Sequence, residues 1–122
     1  MKQEESPIWN KSKAFAVRII RLTRHLQENL KEFVLSNQIK KSGTSIGANV
    51  RESRNAQSRA DFINKLQIAL KESDETEYWL ELLFETEYIN QEVFDSLMTD
   101  NKELTALLTS IINSAKKNNN KL

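Results

Sequence analysis

Both glycines of this chain, Gly43 and Gly47, stand four residues apart inside a stretch whose apolar spacing is helical. A glycine in a helix interior costs about 1 kcal/mol relative to alanine. Two of them on one helical face need a physical reason. Their neighbours Ser42, Thr44, Ser45 and Ala48 are also small. Small side chains let a second helix approach closely, so residues 38–54 read as a close-packing helix. The same stretch carries Lys40, Lys41, Arg51 and Arg54 against one acid, Glu52, which gives that helix a basic edge.

The rest of the chain has little to turn on. One proline and two glycines in 122 residues predict few, long elements. That length suits a single domain, long enough to bury about two-thirds of its unfolded surface. With no cysteine, a disulfide framework and thiol chemistry are excluded. No apolar run approaches the roughly 18 residues of a membrane span, and residues 1–5 lack the apolar core of a secretory signal. A cytoplasmic protein with no membrane partner is expected.

Periodicity divides the chain into four helices. The first is predicted over about 10–26, with Ile8, Phe15, Ile19, Leu22 and Leu26 on one face. Pro7 marks its entry, and Asn10 or Ser12 is the expected cap. A polar link at 27–31 follows. The second helix is expected over about 31–55, with Leu35, Ile39, Ser42, Ile46, Asn49 and Ser53 as its inner line. The third follows Ser58, whose hydroxyl and the acid Asp61 form a capping arrangement. Its inner line is Phe62, Leu66, Ala69, Ser73 and Leu80, with Glu77 and Phe84 beside it, and it ends near Glu87.

The fourth helix starts after the N-cap Asn90. Phe94, Leu97, Asn101, Leu104, Leu108, Ile111 and Ala115 follow a 3-4 spacing, the pattern of left-handed bundle packing. Lys116 and Lys117 suit its C-terminus. The fold expected is all-α: an antiparallel, up-down-up-down, left-handed four-helix bundle. The bundle spans 10–117, between an N-terminal segment at 1–9 and a tail at 118–122 expected to be disordered.

No reaction is legible. The chain holds no Ser-His-Asp set, phosphate-cradling loop or nucleotide fingerprint. Its one histidine, His25, has no carboxylate three residues before it, so the Glu-x-x-His pairs of di-iron bundles are missing. A non-enzyme without metal or cofactor is expected. Ser42, Asn49, Ser53, Ser73 and Glu77 fall on or near the inner lines and are expected to share one polar layer, because buried polar groups must hydrogen-bond.

Charge is unevenly divided. Residues 8–57 carry ten Lys and Arg against three acids, whereas residues 58–122 carry seven against twelve. Either the basic half meets a polyanion or the two halves neutralise each other across the bundle. Tyr78, Trp79 and Leu82 lie mostly off the inner line of the third helix, and Val93 and Leu107 widen the stripe of the fourth. Surplus apolar residues on outer faces suggest contact between subunits.

Several motifs occur in order: Lys13-x-Phe-Ala-x-Arg-Ile19, Val34-Leu-Ser-x-Gln38, Ser42-Gly-Thr-Ser-Ile-Gly-Ala-Asn-Val-Arg-Glu52, Ser58-x-x-Asp-Phe62, Leu66-x-Ile-Ala-Leu-Lys-Glu72, Glu75-x-Glu-Tyr-Trp-Leu80 and Tyr88-Ile89. Over residues 8–115 they resemble the bacterial 23S ribosomal RNA intervening-sequence family. The resemblance implies a left-handed antiparallel four-helix bundle and a cyclic homo-oligomer, a pentamer. It also implies kinship with the accessory protein of diversity-generating retroelements, whose basic surface serves nucleic acid and a polymerase. Many members end the Asn-x-x-Glu motif with Gly, where this chain has Ser53. No catalytic residues come with the family, and its biochemical role is poorly defined.

The expectation is therefore a self-associating bundle that binds RNA or another nucleic acid through Arg18, Arg21, Arg24, Lys40, Lys41, Arg51 and Arg54. Guanidinium forks match phosphate geometry. The expected oligomer interface is Tyr78, Trp79 and Leu82. The competing reading is a protein-interaction scaffold whose cations serve acidic partners or its own acidic half. A third reading, a small-molecule bundle, needs an internal cavity.

Overall fold

The computed structural model describes residues 6–119. They form four helices: α1 (Pro7–Leu30), α2 (Val34–Ser53), α3 (Arg59–Glu85) and α4 (Gln91–Asn119). No strand occurs among the described residues. Each helix packs on its neighbours in the chain, and α1 closes the bundle on α4. The diagonal pairs α1–α3 and α2–α4 bring no Cα atoms within 8 Å of each other among the described residues, and meet only through the core. The core holds Phe15, Ile19 and Leu26 of α1, Ile39 and Ile46 of α2, Leu66, Leu80 and Leu83 of α3, and Leu104 and Leu108 of α4.

The helix ends follow from specific caps, two of them legible in advance. Ser58 Oγ accepts from the Asp61 N–H at 3.0 Å, and Asn90 Oδ1 accepts from the Val93 N–H at 2.9 Å. The start of α1 lies earlier than expected. Ser6, not Asn10 or Ser12, accepts from the Trp9 N–H, at 3.3 Å, and Pro7 takes the first helical turn, where its missing N–H costs nothing. Ser12 is buried instead and donates to the Trp9 carbonyl.

The predicted link at 27–31 is mostly helix. The chain turns at Lys31, which adopts a left-handed φ of 55° and donates its N–H to Leu26 O. This is the closure glycine usually provides, made here by a lysine. Glu32 then does what a Ser or Asp would do for α2. Its carboxylate accepts from the Leu35 and Ser36 N–H groups at 3.0 and 2.8 Å. At the other end, α4 continues through Asn118 and Asn119, part of the expected tail; residues 120–122 and 1–5 lie outside the described residues.

The inner lines shift by one residue at several places. Ser36 is buried where Leu35 was expected, and Ile112 where Ile111 was. On α3, Thr76 and Leu83 are buried, while Glu77 turns outward to Lys102 at 3.1 Å. The expected polar layer resolves into separate bridges. The Thr76 and Ser42 hydroxyls meet at 2.8 Å between α3 and α2. Ser73 donates to Asn101 Oδ1 at 3.0 Å, and Asn101 Nδ2 donates back to the Ser73 carbonyl at 2.9 Å, between α3 and α4. Asn49 and Ser53 bond only to carbonyls of their own helix, Ser45 and Val50.

The glycines divide in role. A Cβ on Gly43 would come within 2.9 Å of Ile19 Cγ1, so close approach of α1 and α2 depends on this residue. A Cβ on Gly47 would stand 3.4 Å from the Ser12 carbonyl oxygen, an ordinary contact. Gly47 instead lines an open groove between the two helices.

Candidate nucleic-acid and subunit interface

The basic residues singled out in the sequence sit in four different settings. Arg18 is held against α4: Nη1 donates to Asp100 Oδ2 at 2.6 Å, and Nη2 donates to Ser96 Oγ at 2.9 Å. Both charged side chains remain more than one-third exposed, so the pair is worth at most about 1 kcal/mol. It nevertheless occupies the guanidinium. Lys11 pairs with Glu103 and Lys102 with Glu77 at 3.1 Å each, so the α4 borders are partly self-neutralised.

Arg21 is exposed on α1. Arg24 and Lys40 line one cleft of about 160 Å³ with Ile20, Thr23, Gln27 and Glu28. Lys41 is exposed on α2, and its charge reaches Glu72 on α3. Burial first, and then Glu75, push the Glu72 carboxyl above its usual range; Lys71 and Lys41 act the other way.

Arg51 and Arg54 converge on Trp9, their guanidinium carbons 4.4 and 4.7 Å from its ring centre. This is cation–π geometry. It fixes both arginines at the end of α2 beside the start of α1. Arg51 also lines a groove of about 260 Å³ with Lys13, Ala16, Thr44, Gly47 and Ala48. Lys13 is not among the cations that the sequence singles out. Its spacing to Arg24 was visible, but a lysine on a helix surface reads as solvated until the neighbouring helix is known.

The structure thus brings Arg24 to Lys40, and Arg51 to Arg54 and Lys13, on the α1–α2 side. Arg18 stands apart from that side. Of the expected interface residues, Tyr78 is 53% exposed. Trp79 and Leu82 are half-buried, and Trp79 packs against the core. The Tyr78 and Trp79 rings meet edge-on at 5.1 Å.

Among the described residues no group of three His, Cys, Asp or Glu could hold a metal ion. His25 is exposed and bonded to Asn29 at 2.7 Å. No buried side-chain nitrogen or oxygen lacks a hydrogen-bond partner among the described residues, so no orphaned group points to an internal ligand. No helix among them is long and apolar enough to cross a membrane.

Comparison with known proteins fits this architecture. A crystal structure at 1.70 Å of a protein of unknown function from the S23 ribosomal protein family of Bacteroides thetaiotaomicron VPI-5482 superposes with a TM-score of 0.86. The two share 60% sequence identity over 87% of this chain and 95% of that one. No curated protein matches the chain. The family described as 23S rRNA-intervening sequence protein matches residues 4–110. The chain belongs to the 23S rRNA-intervening sequence protein family.

Proposed function

We propose that this chain is a non-enzymatic, self-associating four-helix bundle that binds RNA or another nucleic acid through the basic faces of α1 and α2. The observation that carries this reading is the placement of Arg21, Arg24, Lys40, Lys41 and Arg51 as exposed cations on two adjacent helices. The family name, with its link to ribosomal RNA, makes RNA the polyanion of first choice. Arg54 joins this surface beside Trp9. Arg18 contributes only if RNA displaces Asp100. Phosphate contacts of this kind position a nucleic acid without reading its sequence.

An antiparallel, left-handed arrangement belongs to the same reading. In support of the antiparallel order, contact partners fall along α4, from Glu103 to Asp100, as they rise along α1, from Lys11 to Arg18. Assembly as a cyclic pentamer, a cytoplasmic location and kinship with retroelement accessory proteins are what the motif resemblance implies. Exposed Tyr78, beside Trp79 and Leu82, supports the subunit contact.

The scaffold reading draws on a different observation: Lys11 and Arg18 already meet acids of α4. The two readings separate in one experiment, titration of fluorescent single-stranded RNA with the chain at low and raised salt. Binding that weakens steeply with salt supports the nucleic-acid surface. Absence of binding at low salt leaves the scaffold.

A further inference from the structure

Three helix faces of this chain share nearly one spacing. On α1, Lys13, Val17, Ile20 and Arg24 recur at steps of 4, 3 and 4. On α2, Lys40, Thr44, Gly47 and Arg51 recur at the same steps. These two rows border two clefts that lie along the α1–α2 contact and together form its groove. Lys13 and Arg51 line one end with Ala16, Thr44, Gly47 and Ala48. Arg24 and Lys40 line the other with Ile20, Thr23, Gln27 and Glu28. Val17 and Ile20 are 39% and 36% exposed, which is high for branched aliphatic side chains in the middle of a helix. The α1–α2 seam therefore carries cations at both ends with mostly small or aliphatic side chains between them, and Glu28 stands beside Arg24 in the second cleft.

The third face is the outer side of α3. There Glu75, Tyr78, Leu82 and Glu85 recur at steps of 3, 4 and 3, acid at both ends and apolar between. Glu75, Tyr78 and Glu85 are exposed, and Leu82 is half-buried. At 1.5 Å per residue, the cations of each groove wall stand about 16 Å apart and the two acids about 15 Å apart. On the outer face of α4, Glu92, Ser96, Thr99 and Glu103 also place acids at both ends, but the residues between them are polar and Glu103 already pairs with Lys11.

We propose that the α1–α2 groove receives the Glu75–Tyr78–Leu82–Glu85 face of α3 from a second copy of the chain. The proposal rests on the self-association part of the function above and supplies the receiving face for Tyr78. Charge and spacing agree at both ends, and apolar groups meet between them, the usual logic of a helix laid in a groove. A single-stranded nucleic acid suits the groove less well. Its one large aromatic, Trp9, is only 8% exposed and lies under Arg51, so it offers no stacking platform. The two faces differ, so the contact is heterologous and repeats in one direction, closing into a ring or running on as a filament. In that assembly the neighbour and RNA compete for Arg24, Lys40 and Arg51. Arg21 and Lys41 remain for phosphate.

Light scattering on the full chain tests this. Wild type should exceed the single-chain mass of 14.2 kDa. Lys13→Glu with Lys40→Glu should reduce it to one chain, and so should Glu75→Lys with Glu85→Lys, both with unchanged helical circular dichroism. All four changes in one chain restore complementarity and should restore the mass. Either reversal leaving the mass unchanged overturns the groove assignment, as does failure of the fourfold variant to recover. A groove reversal that keeps the mass but abolishes binding of single-stranded RNA gives the groove to RNA instead. A monomeric wild type overturns self-association itself. If a variant does not fold, carbodiimide cross-linking of mixed ¹⁵N-labelled and unlabelled wild type decides. Bonds from Lys13 or Lys40 to Glu75 or Glu85 between copies support the contact, and bonds only elsewhere overturn it.

Discussion

Gly43 lies so close to Ile19 that a side chain on the glycine would collide with it, the nearest approach being 2.9 Å from a Cβ to Ile19 Cγ1. Ile19 is fully buried and has nowhere to retreat. Gly43→Ala should therefore destabilise the bundle by about 1–3 kcal/mol, the usual cost of overpacking. Gly47→Ala meets only an ordinary contact with Ser12 and should be neutral or stabilising by up to about 1 kcal/mol, because alanine favours helix. Urea unfolding of both variants checks the contrast. Equal effects would mean that α1 and α2 can part slightly at no cost.

Ser73 and Asn101 exchange two hydrogen bonds across the α3–α4 contact, and both are fully buried. Ser73→Ala should cost about 1–3 kcal/mol by leaving the Asn101 side-chain oxygen Oδ1 without its donor. Pairing Ser73→Ala with Asn101→Leu should cost less than the sum of the two single changes. A double-mutant cycle measures that coupling, and strict additivity would show the two residues acting independently.

Glu72 gives the pH dependence a sign. Its carboxyl is raised above 4.5, chiefly by burial and then by Glu75. Between that value and its raised one, the folded chain holds more protons than the unfolded chain. Stability from this group is thus present below 4.5 and falls as pH rises through the folded value. Glu72→Gln should remove that fall, so the melting temperatures of variant and wild type should diverge as pH rises, in favour of the variant. Parallel curves would show that Lys41 and Lys71 offset the burial.

Glu32 caps α2 through two backbone N–H groups. Glu32→Ala should cost about 0.5–2 kcal/mol, as the loss of other caps does. Glu32→Gln keeps one acceptor oxygen and should cost less. Thermal unfolding ranks the two, and equal stability of both with wild type would show that solvent serves those amides as well.

These residues also show what the sequence could and could not reveal. Ser58, Asp61 and Asn90 announce their helices because short polar side chains reach their own backbone, and a local hydrogen bond needs no tertiary partner. Lys31 and Glu32 do the same work with residue types that usually serve other ends, so the α1–α2 turn falls later in the chain than its residue types suggest. A wide apolar stripe leaves neighbours such as Ile111 and Ile112 equally eligible for the core, and only the packing of the surrounding helices decides between them. The surface was harder still. Arg18 and Arg21 look alike in the chain, but one reaches Asp100, on a helix 82 residues away in sequence. Charge pairing between distant helices leaves no local trace.

Among the measurements open to this chain, the salt dependence of RNA binding bears most directly on the basic α1–α2 surface. Affinity for a single-stranded RNA, read by fluorescence anisotropy, should be measurable near about 50 mM salt. It should then fall with a log–log slope of about −0.7 for each phosphate contact. With several exposed cations engaged, the slope should be steep, and Arg21→Glu with Arg24→Glu should make it shallower for unrelated sequences alike. No binding at low salt, a flat slope, or an unchanged slope in the double variant would contradict a nucleic-acid surface on α1 and α2.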